Sequence, residues 1–260
     1  MCGKCEDNSH PDAPASPTRR KVLMAGAGLA AASTLAVMPG KVQAQESAAQ
    51  AGNGPWRVRA WGNRNPEGQF VPLEISRRAL RPNDVLIDIM YCAICHSDIH
   101  IARQEWGAPY PATNYPCVPG HEIIGRVAAI GSAVTKFRPG DIAGAGAMID
   151  SCGECESCAN DLEQYCLKGW TLNFNSPDKI SGGYNYGGFS QRVVIPERFT
   201  VRIPPGMNLA AAAPLMCAGI TTYSPPEHSS VEAGQRVGGI GLGRLGHPAV
   251  HLAVSSDERR

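Results

Sequence analysis

Short runs of branched apolar residues, separated by glycine and proline turns, recur along the middle of the chain. Four of these runs predict β-strands, at residues 85–91, 123–131, 137–143 and 191–196. The third begins with the turn Pro139-Gly140, which should lead into its strand. Several short strands with turns between them are typical of a partly open β-barrel rather than of a helical bundle.

The pattern changes in the last part of the chain. Residues 210–217 are alanine-rich and predict a helix that Pro214 should interrupt. Residues 236–240 predict a strand running into the turn Gly241-x-Gly243-x-x-Gly246, which should open a helix. That context is typical of a dinucleotide-binding unit, although the same glycines could form an ordinary turn. The sequence therefore predicts a mixed α/β fold, in which a barrel precedes the start of a Rossmann-type domain.

Composition excludes some classes of function. The chain has 260 residues, 43% of them hydrophobic, which is enough for one large or two ordinary domains. The net charge is +1 and no long basic run occurs, so we do not expect nucleic acid as a partner. The 10 cysteines cluster too locally, in too long a chain, for the disulfide framework of a small secreted protein.

The N-terminal segment resembles a twin-arginine signal peptide. The pair Arg19-Arg20 precedes a weakly apolar run at residues 22–38, and the small residues around Ala44 suit a cleavage site. A membrane anchor is the alternative, but glycine, serine and threonine dilute the run and it is short for a spanning helix. We therefore expect a signal peptide over residues 1–44, a linker over 45–55 and a periplasmic protein without a stable membrane anchor. A cytoplasmic location is the alternative.

Four cysteines lie close together in a polar, turn-rich segment with the spacing C-x2-C-x2-C-x7-C. They are Cys152, Cys155, Cys158 and Cys166. Four thiolates at this spacing can surround one zinc ion in a closed tetrahedral shell, which supports structure and leaves no position for substrate. An iron–sulfur cluster is the competing soft-ligand interpretation, and buried or disulfide-bonded cysteines are the third.

A second set of metal ligands is spread over more than 100 residues. Cys95 opens the segment 95–100, His121 lies in the segment 119–122, and Cys217 follows the alanine-rich helix. Two sulfurs and one nitrogen would leave a fourth position for water or substrate, as a catalytic zinc requires. Taken singly, each of these residues is better explained as a buried cysteine or a satisfied histidine than as a metal ligand, and spacing alone does not join them.

Together these motifs closely resemble the zinc-dependent medium-chain alcohol dehydrogenases, and within them the cinnamyl-alcohol-dehydrogenase-like branch. The resemblance extends in order from Trp56 to Gly246. The matching segments are residues 91–100, 119–122, 152–166, 182–190, 213–219 and 241–247. The resemblance implies a GroES-like zinc-binding catalytic domain over residues 56–206 and an incomplete NAD(P)-binding Rossmann domain over 207–260.

The resemblance also implies roles for the metal ligands and for the glycine turn. It assigns Cys95, His121 and Cys217 to a catalytic zinc and the four clustered cysteines to a structural zinc. It assigns the turn glycines to the phosphates of NADP(H). These turn residues are Gly241, Gly243 and Gly246.

Further side chains acquire roles from the same resemblance. Ser97 matches the hydroxyl that takes the alcohol proton, and His100 matches the residue that passes this proton towards water. Glu122 matches an acid that can approach the metal as ligands exchange, and Asp98 matches a carboxylate that orients the site. His96 is expected to contact the cofactor.

The implied activity is the interconversion of small alcohols and aldehydes by hydride transfer with NADP(H). The position that separates NAD from NADP lies about 20 residues beyond the glycine turn in such domains, so the resemblance implies a C-terminally truncated member. A non-catalytic zinc-binding remnant, acting as a structural or interaction module, is therefore the alternative function. A zinc hydrolase is disfavoured, because no separate nucleophile–base pair is evident. A full-length relative would be expected to form a homodimer.

Overall fold

The fold is that of a computed structural model, which describes residues 54–107, 110, 112–232 and 234–257, with side chains as far as residue 254. The expected signal peptide and most of the expected linker lie outside the described residues. None of the helices within the described ranges has both the length and the apolar character needed to cross a bilayer.

Nine strands are present in the described part of the chain. They are β1 (Trp56–Gly62), β2 (Val71–Arg77), β3 (Asp84–Cys92), β4 (Ile123–Ile130), β5 (Ile142–Ala145), β6 (Met148–Asp150), β7 (Thr171–Leu172), β8 (Arg192–Pro196) and β9 (Thr200–Arg202). Five of them form an antiparallel sheet in the order β8-β3-β4-β5-β9, while β1 pairs with β2 and β6 pairs with β7.

Five α-helices complete the described structure. They are α1 (His96–Ala102), α2 (Glu156–Ala159), α3 (Leu209–Ala212), α4 (Ala218–His228) and α5 (Gly246–Asp257). A 3₁₀ turn over Ala213–Met216 separates α3 from α4 and carries Pro214 near its start, which confirms the expected interruption.

The core lies against the central sheet, because its strands are apolar over most of their length. In β3, Val85, Leu86 and Ile87 are fully buried, so both faces of this strand are covered. The β1–β2 hairpin alternates buried and exposed residues, and its buried face packs on Leu86 and Val118. The curled sheet therefore matches the partly open barrel that the sequence predicts.

The four runs predicted as strands correspond to β3, β4, β5 and β8, and the helix after the glycine turn is α5. The predicted strand at residues 236–240 is wrong, because the structure assigns no strand there. A strand needs a neighbour to accept its backbone hydrogen bonds. This segment is instead exposed, and Ile240 has no effective cover.

Candidate metal centres and the surrounding site

The end of β3 and the start of β4 position the first two candidate ligands of the set predicted to hold a catalytic metal. Cys95 is the N-cap residue of α1, three residues after β3 ends. His121 lies two residues before β4 begins. Gly120 has φ of +104°, and a Cβ there would lie 2.7 Å from the backbone nitrogen of Phe189. Only glycine fits this position, so the local backbone that presents His121 depends on it.

The structure brings together the residues that spacing could not join. The ligand atoms of Cys95, His121, Glu122 and Cys217 all lie within 4.8 Å of one another. Cys217 is the N-cap residue of α4, and the position of this helix end brings its sulfur into the cluster. His121 and Glu122 are buried, with 2% and 0% of their surface exposed. Two thiols, one imidazole and one carboxylate in this arrangement can hold a zinc ion.

Asp98 organises this cluster although it is not itself one of the ligands. Its carboxylate accepts hydrogen bonds from the backbone N–H of Cys95 and of Gly120, each at 2.9 Å. The same carboxylate lies 2.8 Å from Nδ1 of His121. A carboxylate can only accept, so Nδ1 carries the proton and Nε2 is left for a metal. Asp98 thus fixes both the orientation and the tautomer of His121.

The protonation of the cluster reflects its concentration of negative charge. Burial alone would lower the pKa of His121, but hydrogen bonds to Asp98 and Cys217 raise it to about 10. Burial would raise the pKa of Cys95, but hydrogen bonds from Ser97 and the charge of His121 lower it below the usual thiol value. A metal bound to these residues would displace protons from them, because thiolate and neutral imidazole are the forms that coordinate a metal.

The residues expected to move a proton lie along α1. The hydroxyl of Ser97 is 3.7 Å from the sulfur of Cys95, so it borders the metal cluster. His100 is three residues further on, and Nδ1 of its ring lies 2.7 Å from the carboxylate of Glu105. That contact leaves Nε2 of His100 available for proton transfer.

The glycine turn adopts a tight conformation ahead of α5. Gly241 has φ of +87°, and a Cβ on Gly246 would lie 1.9 Å from the carbonyl oxygen of Gly241. Gly243 has open space around it. The rings of His96 and His100 contact each other at a tilt of 42°, with centroids 4.6 Å apart. The expected contacts of these residues with a cofactor stay predictions.

The four clustered cysteines converge on one point in a separate lobe. Their sulfurs all lie within 4.8 Å of one another, and none of them is in a disulfide. The sulfurs of Cys152 and Cys158 are 3.8 Å apart, and those of Cys155 and Cys158 are 3.5 Å apart. A zinc–sulfur bond of about 2.3 Å gives a tetrahedron with edges of roughly 3.8 Å. The sulfurs therefore have the spacing of a single tetrahedral ion, which argues against a cluster carrying its own sulfides.

Backbone hydrogen bonds stabilise the thiolate forms of Cys155 and Cys166 in this lobe. The N–H of Leu167 points at the sulfur of Cys155 at 3.4 Å, and the N–H of Cys152 points at that of Cys166 at 3.4 Å. N–H groups of Cys158 and Leu167 lower the pKa of Cys155 to about 6. Thiolates prepared in this way suit a permanently bound cation.

Several contacts of the site are not apparent from sequence motifs. Glu105 holds His100, and the ring of Phe174 lies 5.3 Å from that of His121. The guanidinium of Arg244 contacts the carboxylate of Glu122. Glu105 follows His100 by five residues, in the local sequence Glu-Trp-Gly after α1. That short pattern is the one sequence signal that points to Glu105.

Residues 81–205 match the family model described as the alcohol dehydrogenase GroES-like domain. The chain is 48% identical over 198 residues to aldehyde reductase YahK of Escherichia coli (strain K12), an alignment covering 76% of this chain and 55% of that protein. It is 51% identical over 198 residues to NADP-dependent alcohol dehydrogenase C of Mycobacterium tuberculosis, with 76% of this chain and 56% of that protein covered. The chain thus spans a little over half the length of these relatives.

Solved structures show the same similarity. A cinnamyl alcohol dehydrogenase from Sorghum bicolor superposes with a TM-score of 0.73 and 41% identity, over 78% of this chain and 56% of that one. The CAD from Helicobacter pylori complexed with NADP(H) also superposes with a TM-score of 0.73, at 38% identity, over 78% of this chain and 58% of that one. The described fold is therefore the GroES-like domain with alcohol dehydrogenase neighbours.

Proposed function

We propose that this chain is a member of the medium-chain, zinc-dependent alcohol dehydrogenase family and that it interconverts alcohols and aldehydes by hydride transfer with NADP(H). The observation that carries the proposal is the convergence of Cys95, His121 and Cys217, with Asp98 behind His121. Such a set leaves room for a substrate oxygen beside the metal, whereas the four-cysteine lobe does not.

Two zinc ions fit the two ligand sets, one in each. When bound, the zinc in the open set would polarise the substrate oxygen, and the nicotinamide would give or take the hydride. Cys95, His121 and Cys217 would hold that ion, while Asp98 keeps His121 oriented. The four-cysteine lobe would hold the second ion as a structural element.

The protein's own part in the reaction is to move a proton. Ser97 borders the metal cluster and is placed to exchange a proton with the substrate oxygen. His100, on the same helix, is placed to pass that proton towards solvent through Nε2, because Glu105 occupies Nδ1. His100 is 38% exposed at its side chain, so this proton path reaches water.

The substrate class is inferred from similarity rather than from the pocket. We infer that the substrate is an aromatic aldehyde or alcohol, because a solved structure 41% identical to this chain is a cinnamyl alcohol dehydrogenase.

The remaining proposals concern the cofactor, the assembly and the location. NADP(H) is favoured because relatives named as NADP-dependent are 51% identical to this chain over the matched region. Binding of its phosphates is proposed for the turn at Gly241, Gly243 and Gly246, with His96 contributing from α1. Homodimer formation is proposed for the full-length protein. Export to the periplasm by the twin-arginine route is proposed from Arg19-Arg20 and the apolar run that follows them.

The activity is tested by following NADPH oxidation with cinnamaldehyde, with and without a zinc chelator. We expect chelator-sensitive turnover in the wild type and a loss of roughly 100-fold or more in Ser97→Ala. Ser229→Ala is the matched control, because Ser229 is exposed and follows α4, and it should retain wild-type turnover. Absence of turnover with both metals bound would favour the alternative, a metal-binding module without catalysis.

A further inference from the structure

Arg244 connects the glycine turn to the metal cluster. It lies between Gly243 and Gly246, yet its guanidinium reaches the carboxylate of Glu122 and the backbone carbonyl of Ile94, the residue before Cys95. Arg244 therefore contacts two segments that supply candidate ligands: the one between β3 and α1, which leads to Cys95, and the one before β4, which contains Glu122. The fork of the guanidinium allows both contacts at once.

Glu122 needs a cation, because its carboxylate is completely removed from water. Its side chain has 0% exposure, and Oε1 has no hydrogen-bond partner among the described residues. A buried carboxylate without a compensating charge is strongly destabilising. Two cations can compensate it in this structure: the guanidinium of Arg244, and a metal among Cys95, His121 and Cys217, whose ligand atoms lie within 4.8 Å of a Glu122 oxygen.

We propose that Arg244 is a positioning residue that competes with the metal for the Glu122 carboxylate and so favours an open fourth coordination position. The inference rests on the proposed function, in that it requires a metal at Cys95, His121 and Cys217. If Arg244 releases Glu122, the carboxylate completes a four-ligand shell. Such a shell is closed to substrate, in the same way as the four-cysteine lobe.

The test uses protein loaded with Co²⁺, whose visible absorption reports the number and kind of its ligands, and imidazole as an added ligand. In the wild type we expect two bound Co²⁺ ions and a spectral change when imidazole enters the open position. In Arg244→Gln, Glu122 should occupy that position, so the imidazole response should disappear. Release of one of the two ions to a chelator should also slow by about tenfold. This is the lower end of the change in metal affinity that residues next to the ligands typically produce.

Two control variants isolate the contact. Arg236→Gln removes a positive charge from the same exposed segment, eight residues earlier, and should behave as the wild type. Glu122→Gln combined with Arg244→Gln removes the competing carboxylate and should restore the imidazole response. If Arg244→Gln does not fold, Arg244→Lys retains the charge without the fork, and it should give a partial imidazole response.

The outcomes separate this inference from the proposed function. The role of Arg244 would be overturned if Arg244→Gln bound two ions and kept an unchanged imidazole response. The same result in Arg244→Lys would count where that variant replaces Arg244→Gln. Either result would leave the proposed function intact. A wild type that binds a single ion, in the four-cysteine lobe, would overturn both. Failure of the double variant to recover the response would also overturn the inference, because the effect would then not pass through Glu122.

Discussion

Replacing Asp98 by asparagine tests how this side chain organises the open metal site. The carboxylate accepts three hydrogen bonds, from the backbone N–H of Cys95 and Gly120 and from Nδ1 of His121. Asparagine has one accepting oxygen, so its NH₂ group must face at least one of these donors. Asp98 is 1% exposed, so water cannot repair the mismatch, and an unsatisfied buried donor costs about 1–3 kcal/mol.

The expected effect falls on one metal rather than on both. Loss of the partner that orients a metal-binding histidine lowers metal affinity by about 10- to 100-fold, which is about 1.4–2.7 kcal/mol. Competition with a chromophoric chelator measures zinc affinity at the two proposed sites, and only the site of Cys95, His121 and Cys217 should weaken in Asp98→Asn. Asp161→Asn, at an exposed position with φ of +58° that asparagine tolerates, is the control. Equal affinity in Asp98→Asn and wild type, or equal loss at both sites, would refute the reasoning.

Three further predictions follow from other contacts. Replacing Cys155 by serine should remove one of the two zinc ions, which native mass spectrometry would show as a single-zinc protein; retention of two would contradict the lobe assignment. Burial would raise the pKa of Asp84, but hydrogen bonds donated by Arg78 lower it. The ion pair therefore stabilises the fold at pH values above the unfolded pKa of about 4, and this stabilisation is lost as the pH falls through the lowered pKa of folded Asp84. Asp84→Asn should therefore cost about 3–5 kcal/mol in denaturant unfolding at pH 7, and this difference should shrink below pH 4. In Glu105→Gln the amide can accept a hydrogen bond from Nδ1 of His100 or donate one to it, so ¹⁵N chemical shifts should show a mixture of His100 tautomers. Turnover should fall by roughly 10- to 100-fold, and an unchanged tautomer would contradict the proposed proton path.

Much of the barrel could be predicted because its signals are local. The apolar runs that became β3, β4, β5 and β8 carry the information for their own conformation, and Pro214 marks the break after α3. The segment at 236–240 shows the limit of this reasoning. Its apolar residues suit a strand, but strand formation depends on a neighbour elsewhere in the fold, which a local pattern does not reveal.

Part of the candidate site could also be predicted from local sequence, and part of it could not. The four cysteines of the lobe lie within 15 residues of one another, so spacing alone indicated one ion. Cys217 could be joined to Cys95 and His121 only through the family resemblance, because the contact between them depends on how α4 packs. The contacts of Glu105 with His100 and of Arg244 with Glu122 could not be assigned from motifs, because they depend on the fold.

The most direct test of the proposed activity follows the hydride itself. NADPH carrying deuterium at both hydrogens of nicotinamide C4 is incubated with the zinc-loaded protein and cinnamaldehyde, and the alcohol product is analysed by mass spectrometry. The account predicts cinnamyl alcohol with deuterium on its carbinol carbon, formed by wild type and abolished by Cys217→Ser. Absence of labelled alcohol from a wild-type protein that holds both zinc ions would contradict it.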